Sequence, residues 1–369
     1  MLPFLRPELA ALKAYQPHPP IPEPYDQLDT NESPIDLPDT LKASLAKHYQ
    51  QQIQANRYPD GGHGALKAAI ANYVAEAEAS VTAANISVGN GSDELIRSIL
   101  IATAINNGSI LVASPTFSMY GILAQTLGIA VIDVGRQNNF QLDLDAAQTA
   151  LQENSIRVVF MVHPNSPTAN PLTTAEIDWL RQLPEDILVV IDEAYFEFSQ
   201  QTLVQESLNR SNWVVLRTFS KAFRLAAHRV GYAIAQPPLI NALEKVRLPY
   251  NLPSFSQAAA LSALEHRGQL LGTLENTATE RETMASWLAS QPTLQTWPSA
   301  SNFIYCRLSD KALTTLGMSQ AEGLHHVFTQ LRQRGTLIRH TGGGLRISLG
   351  TIEENQRTQK HLEAVLTNL

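Results

Sequence analysis

The chain of 369 residues has a single cysteine, Cys306, so neither an intrachain disulfide nor a cysteine-built metal knuckle is possible. It has no excess of positive charge. The formal net charge of −7 argues against the broad basic face that neutralising nucleic-acid phosphates requires. No apolar run is long enough to cross a bilayer, and Met1 to Tyr25 has neither the basic start nor the continuous apolar stretch of a secretory signal. The expectation is a cytoplasmic protein with no nucleic-acid or membrane partner. The ten histidines are scattered and no HExxH pair occurs, so a metal-hydrolase reading finds no support and no metal is expected. What is there, 44% apolar and 17% charged residues, is an ordinary globular composition, long enough for two domains and a site for small molecules.

Proline crowds the first thirty residues at Pro3, Pro7, Pro17, Pro19, Pro20, Pro22 and Pro24, which cannot sustain a helix there. An extended arm on the body or on a partner subunit is expected, with a disordered end as the alternative. From Asn85 onward, short β-branched runs alternate with helical patterns, as a parallel sheet with crossover helices requires. The runs are Ile86–Val88, Ile110–Ala113, Val131–Val134, Val158–Val162, Leu188–Asp192, Trp213–Arg217 and Tyr232–Ala235. After about residue 265 the pattern changes to a helical stretch around Leu270–Leu288. The runs Phe303–Leu308, Thr336–Arg339 and Leu345–Leu349 follow without long crossovers, and then a closing helix. This predicts an α/β protein with an arm over 1–30, a large domain over 31–265 and a small α+β domain with an antiparallel sheet over 266–369.

Ligands of open parallel sheets sit beyond the carboxyl ends of the strands, so the polar residues after each apolar run are the first candidates. Gly89-Asn90-Gly91-Ser92-Asp93-Glu94 is a glycine-rich turn that opens a helix. The free N–H groups and partial positive charge there suit a phosphate on Gly91 and Ser92, although an N-cap role for Ser92 or Asp93 explains the same residues. The turn lacks the third glycine of a dinucleotide fingerprint and no convincing ribose-binding acid follows, which counts against a nicotinamide oxidoreductase. Leu188–Ile191 ends in Asp192-Glu193-Ala194-Tyr195. Two solvated acids, a Mg²⁺ site or a carboxylate paired with a pyridinium N–H all fit that ending, and Tyr195 is placed to donate to a ring hydroxyl in the last case. Next comes Ser220-Lys221, then Arg229. An amine among cations and apolar neighbours loses its proton readily and attacks an aldehyde; solvated surface charges are the plainer reading of the lysine and arginine alone.

The order of these pieces, phosphate turn, strand-end aspartate, lysine and arginine, resembles the fold-type-I aminotransferases, and among them the histidinol-phosphate aminotransferase family, over nearly the whole length. The matching stretches are Asn56–Pro59, Gly89–Glu94, Pro115–Tyr120, Pro164–Thr168, Asp192–Tyr195, Ser220–Tyr232 and Gly344–Ser348. The resemblance implies a large domain with a mostly parallel seven-stranded sheet flanked by helices, a small C-terminal α+β domain, and the cofactor pyridoxal 5'-phosphate. It makes Lys221 the Schiff-base lysine and proton shuttle and Asp192 the pyridinium partner. Tyr195 and Asn165 then contact the ring hydroxyl, and Phe117 stacks on the ring. Gly91, Ser92, Ser220 and Arg229 hold the cofactor phosphate, and Tyr58 reaches the neighbouring site of a homodimer. By the same resemblance Arg346 takes the α-carboxylate of glutamate, and Arg339 takes the phosphate of histidinol phosphate or the side-chain carboxylate of glutamate. The implied reaction is transamination in two half-reactions, between histidinol phosphate and 2-oxoglutarate, in histidine biosynthesis.

The chain departs from the family pattern in places. Asn165-Ser166-Pro167-Thr168-Ala169 stands where two asparagines, proline, threonine and glycine are usual, so the turn at Ala169 is in question. Ala226-Ala227-His228 replaces alanine, glycine and leucine, and the loop Thr341–Gly344 is short, which points to a trimmed substrate pocket. Threonine-phosphate decarboxylases and aromatic-amino-acid aminotransferases share the cofactor motifs and remain competitors. A non-catalytic pyridoxal-phosphate-binding module is the alternative from another class, and the absence of a fused DNA-binding segment counts against it.

Overall fold

The computed structural model describes residues 4–6, 9, 12, 25–77 and 80–367. The seven arm prolines lie outside the described residues. A short strand, β1 (Asp26–Gln27), comes first. The seven expected runs then form β2 (Ile86–Asn90), β3 (Ser109–Ala113), β4 (Ala130–Val134), β5 (Ile156–Val162), β6 (Leu188–Asp192), β7 (Trp213–Thr218) and β8 (Val230–Ala235). They make one sheet in the order β2-β8-β7-β6-β5-β3-β4. β8 runs against both its neighbours, and the other adjacent pairs are parallel.

The central strands read as continuous apolar runs because both faces are covered. Val189, Ile191, Trp213, Val215 and Ile234 pack on one face in a core shared with the helices Gly64–Ala75, Thr174–Arg181 and Ser254–Glu265. Their alternates Leu188, Val190, Val214, Leu216 and Ala233 face a second core built with the helices Gly91–Thr103, Met119–Leu127 and Pro237–Val246. Each full burial of such a side chain contributes about 1.5–3 kcal/mol, and the period-two alternation fixes which residues at the strand ends point to which side. Helix starts follow local chemistry: Thr173 and Glu176 form a capping box for Thr174–Arg181, and Ser319 and Glu322 do so for Gln320–Gln333.

The C-terminal part is an antiparallel sheet in the order β12-β13-β10-β9, formed by β9 (Leu294–Thr296), β10 (Phe303–Leu308), β12 (Arg339–Thr341) and β13 (Gly344–Ser348). Cys306 is buried in its core beside Ile304, Leu345 and Ile347, where burial pushes the thiol up to about 12. Three expectations change here. The run Thr336–Arg339 is two strands: β11 (Thr336–Leu337) pairs in parallel with β1 and only Arg339 enters the four-stranded sheet. The difference is tertiary: β1 pairs with β11 through backbone hydrogen bonds, and Arg357 holds its Asp26 through two more of 3.0 and 2.7 Å. The helical stretch around Leu270–Leu288 is broken into Arg267–Leu271 and Leu274–Ser290, with Arg224 Nη2 donating to the Leu270 carbonyl at 3.1 Å at the break. Two helices, Asp310–Leu316 and Gln320–Gln333, separate β10 from β11, where strands without long connections were expected.

Candidate active site

The carboxyl ends of β6 and β7 meet the beginning of β8 because β8 is antiparallel. Arg229, which precedes β8, therefore lies beside residues that follow β6 and β7. A cavity of about 290 Å³ opens at this edge, its wall including Ser92, Phe117, Asp192, Tyr195, Lys221 and Arg346.

Asp192 and Glu193 part at the strand end. Asp192 is 3% exposed; its Oδ2 accepts from the Tyr120 hydroxyl at 2.7 Å and its Oδ1 from the Ala194 N–H at 3.0 Å. Burial pushes its carboxyl up to about 6 against those two bonds, and among the described residues no cation pairs with it. Glu193 turns to the other face, where Arg217 Nη2 lies 2.8 Å from its Oε2 and Leu203 N donates to Oε1 at 2.6 Å. The acids do not converge on a metal, and among the described residues no group of three or more His, Cys, Asp or Glu is placed to hold one.

Lys221 Nζ donates to the Thr30 carbonyl at 2.6 Å. Burial lowers its pKa, Arg346 and Arg229 add to the effect, and Tyr195 and Glu32 oppose it. The Tyr195 hydroxyl accepts from Asn31 Nδ2 at 2.8 Å. Phe117 packs edge-on against Tyr120 with centroids 5.4 Å apart.

Opposite Lys221, the helix Gly91–Thr103 begins without a side-chain cap, so its first N–H groups remain available to an anion. Gly91 has φ +74°, and a Cβ there would stand 2.6 Å from Arg229 Nη2; a Cβ on Gly231 would stand 2.5 Å from Ser92 N. Glycine at both positions is what lets Arg229 and the helix start share one concavity. Arg229 Nη1 reaches Ser220 Oγ at 3.4 Å and its Nη2 reaches Asp93 Oδ2 at 3.4 Å.

Arg339 and Arg346 are directly opposed across β12 and β13, and both line the cavity. Arg346 Nη1 donates to Ser166 Oγ at 3.0 Å and Nη2 to the Asp29 carbonyl, while its Nε is buried without a hydrogen-bond partner among the described residues. Burial lowers the Arg346 pKa and Arg339 lowers it further, with Tyr195 opposing. Two guanidinium groups on one cavity wall suit an anionic ligand.

Two expected residues lie elsewhere. Asn165 is buried behind the cavity wall, its Nδ2 donating to Pro115 O at 3.0 Å and Thr168 Oγ1 at 2.6 Å and its Oδ1 accepting from Thr116 at 3.1 Å. Tyr58 is 81% exposed and stacks on Tyr250 at 4.7 Å, apart from this cavity. Tyr120, Asn31, Thr30 and Ser166 were not singled out from the sequence. Tyr120 had a usable signal, since it closes the stretch Pro115–Tyr120. Asn31 had none, because its partner Tyr195 is remote along the chain. Ala169, where glycine was usual, has φ +63° and so keeps the turn at a steric cost.

The donor set fits pyridoxal phosphate. A buried carboxylate lacking a cation suits a protonated ring nitrogen, the capless helix start with Arg229 suits a phosphate, and the depressed amine of Lys221 suits an aldehyde. The family model for aminotransferases of class I and II matches residues 25–362. A histidinol-phosphate aminotransferase from Trichodesmium erythraeum is 57% identical over 375 residues, spanning 99% of this chain and 100% of that one. One from Nostoc sp. is 57% identical over 384 residues, spanning 99% and 98%. The crystal structure of a histidinol-phosphate aminotransferase from Sinorhizobium meliloti in complex with pyridoxal-5'-phosphate shares the fold, with a TM-score of 0.86 at 22% identity over 100% of this chain and 99% of that one. The chain therefore belongs to the class I and II aminotransferases, the pyridoxal-phosphate-dependent transaminases, and within them to the family of the histidinol-phosphate aminotransferases.

Proposed function

We propose that the chain exchanges an amino group between histidinol phosphate and 2-oxoglutarate, yielding imidazole-acetol phosphate and glutamate. The observation that carries the reading is one cavity holding both the half-buried amine of Lys221 and two opposed arginines, Arg339 and Arg346. Such a site selects an amino compound bearing an anionic group, and the full-length kinship narrows that compound to histidinol phosphate.

When bound, the cofactor supplies an electron sink for the negative charge that develops at the substrate Cα. Asp192, oriented by Tyr120, would hold the proton on the ring nitrogen, while Tyr195, oriented by Asn31, would meet the ring hydroxyl. The backbone at Gly91 and Ser92, the Ser220 hydroxyl and Arg229 take the cofactor phosphate, and Phe117 covers the ring. Lys221 Nζ would hold the cofactor between turnovers and move the proton to and from the substrate Cα, a task that its lowered pKa favours. Arg346 receives the glutamate α-carboxylate, and Arg339 the phosphate or side-chain carboxylate. Asn165 acts from behind the wall, steadying the Pro115–Phe117 loop and the ring hydroxyl's surroundings.

The active unit is a homodimer in which Tyr58 reaches the neighbouring subunit's site; its exposed ring, with exposed Leu248 and Tyr250 nearby in sequence to one another, supports this. The domains divide at 30 and 265, and the enzyme works in the cytoplasm; among the described residues no helix is long and apolar enough to cross a membrane. The test is glutamate formation from 2-oxoglutarate with histidinol phosphate, phenylalanine or threonine phosphate supplied separately. Turnover with histidinol phosphate is expected. Turnover with phenylalanine alone, or carbon dioxide release from threonine phosphate, would overturn the reading.

A further inference from the structure

Phe140 has φ +63°, a left-handed backbone that a bulky residue adopts only where its surroundings impose it. Its ring lies 4.7 Å from that of Trp297 and 5.4 Å from that of Tyr305 between centroids. The guanidinium carbon of Arg307 stands 5.1 Å from the Phe140 centroid and 5.8 Å from those of Trp297 and Tyr305, so two rings from β10 and the end of β9 and a third from the large domain surround one cation. The Phe140 carbonyl is held in turn by Arg136 Nη1 at 2.9 Å and Asn170 Nδ2 at 3.3 Å.

This cluster grips the tip of the hairpin that carries the cavity arginines. Arg307 Nη2 donates to the Gly342 carbonyl at 3.2 Å, and the Tyr305 hydroxyl donates to the same carbonyl at 2.5 Å. Gly342 and Gly343 have φ +59° and +71°, the signs of a type I′ turn, and that turn pairs Thr341 with Gly344 and Arg339 with Arg346. The turn has no side chain of its own to anchor it. Glycine is required for the docking: a Cβ on Gly342 would stand 2.7 Å from Pro115 Cβ, and one on Gly344 would stand 2.4 Å from Tyr305 Cζ. β13 is held along its length by β10, whereas the glycine tip is held by the Arg307 and Tyr305 donors.

We propose that Arg307 and Tyr305 are positioning residues for substrate recognition: by holding the Gly342 carbonyl they fix Arg339 and Arg346 relative to Lys221. The inference rests on the reading that those two arginines receive the anionic group of the amino donor. Arg307→Met keeps an apolar stem among the rings and removes the cation and its donors, whereas Tyr305→Phe keeps the ring and removes only the hydroxyl.

In the cofactor-loaded full chain, each variant is expected to raise KM for histidinol phosphate and for glutamate about ten-fold, with kcat within about two-fold and cofactor affinity unchanged. Arg307→Lys should recover part of the loss. Hydrogen exchange read without substrate should quicken about ten-fold at residues 339–346 in Arg307→Met, with β6 and β7 unaffected. Unchanged KM and unchanged hairpin exchange would overturn the proposal. So would a fall in cofactor affinity, KM and thermal midpoint together with no preferential change at the hairpin, since that is loss of general stability. Wild-type turnover separates the two claims: if the wild type ignores histidinol phosphate the functional reading fails, while hairpin exchange still judges the clamp.

Discussion

Asp192 and Glu193 are neighbours in sequence, both end up buried at the same strand end, and they do opposite things. Glu193 points to the face where the protein supplies its own cation. Arg217 is 2% exposed, pairs with Glu193 at 2.8 Å and lies 3.5 Å over the Phe196 ring, and the nearby Glu197 accepts from the Tyr73 hydroxyl at 3.2 Å. Asp192 points to the other face, where hydroxyl and amide donors reach it but, among the described residues, no cation pairs with it. A buried charge with its counter-ion built in is architecture; one left without a counter-ion marks where a ligand completes the structure. Burial raises Glu197 to about 7 and Asp192 to about 6, so the pKa direction alone does not separate the faces. The cavity beside Asp192 does.

Substitutions on each face test this contrast, and the largest effect belongs to the cavity. Lys221→Ala should lower turnover by at least about 10⁴-fold while the unfolding midpoint of the cofactor-free protein holds or rises, because a buried amine is removed; appreciable residual transamination would end the assignment of Lys221. On the opposite face, Arg217→Met strands Glu193 and Glu197 in the core and should cost about 3–5 kcal/mol in urea unfolding. Molecules still folded should bind the cofactor normally, and a selective loss of cofactor affinity would erase the distinction between the faces.

Asp192→Asn should do the reverse, weakening cofactor binding roughly 100-fold, the loss of a buried partner, without destabilising the cofactor-free protein at neutral pH. The sign follows from the raised pKa. A free aspartate titrates near 3.9 and the folded one at about 6, so between those values the folded state binds more protons and stability falls as pH rises, by about 3 kcal/mol in all. Unfolding of the cofactor-free wild type, measured against Asp192→Asn, should show that decline between about pH 4 and 6 and then level off. A flat difference would mean that Asp192 is not held protonated by burial. The smallest change is at Ala169, whose φ of +63° glycine adopts freely; Ala169→Gly should raise stability by about 0.5–1 kcal/mol, read as a shift in the thermal midpoint.

The contrast also shows how far the sequence could be read. The runs at Val158–Val162 and Leu188–Asp192 gave strands within a residue or two, since a strand covered on both sides is apolar throughout. Residues that follow such runs, or precede the one antiparallel strand of the large sheet, were identifiable as candidates, the resemblance added Phe117, Arg339 and Arg346, and these three with Ser92, Asp192, Tyr195, Ser220, Lys221 and Arg229 do line one cavity. The partners were not identifiable. Tyr120 reaches Asp192 from the helix Met119–Leu127, Asn31 reaches Tyr195 from the far end of the chain, and Thr336–Arg339 divides between two sheets, its first half pairing with β1.

By itself, the sequence determined the α/β alternation and the identities of the groups able to do chemistry, because these depend on local periodicity and on residue types at short spacing, and its resemblance to known aminotransferases supplied the family. Only the tertiary structure decided which of two adjacent acids received a cation, which aromatic rings closed around Arg307, and how the hairpin bearing Arg339 and Arg346 was held. Those outcomes depend on contacts between segments far apart in the chain, and local patterns do not encode which distant side chain arrives at a given atom.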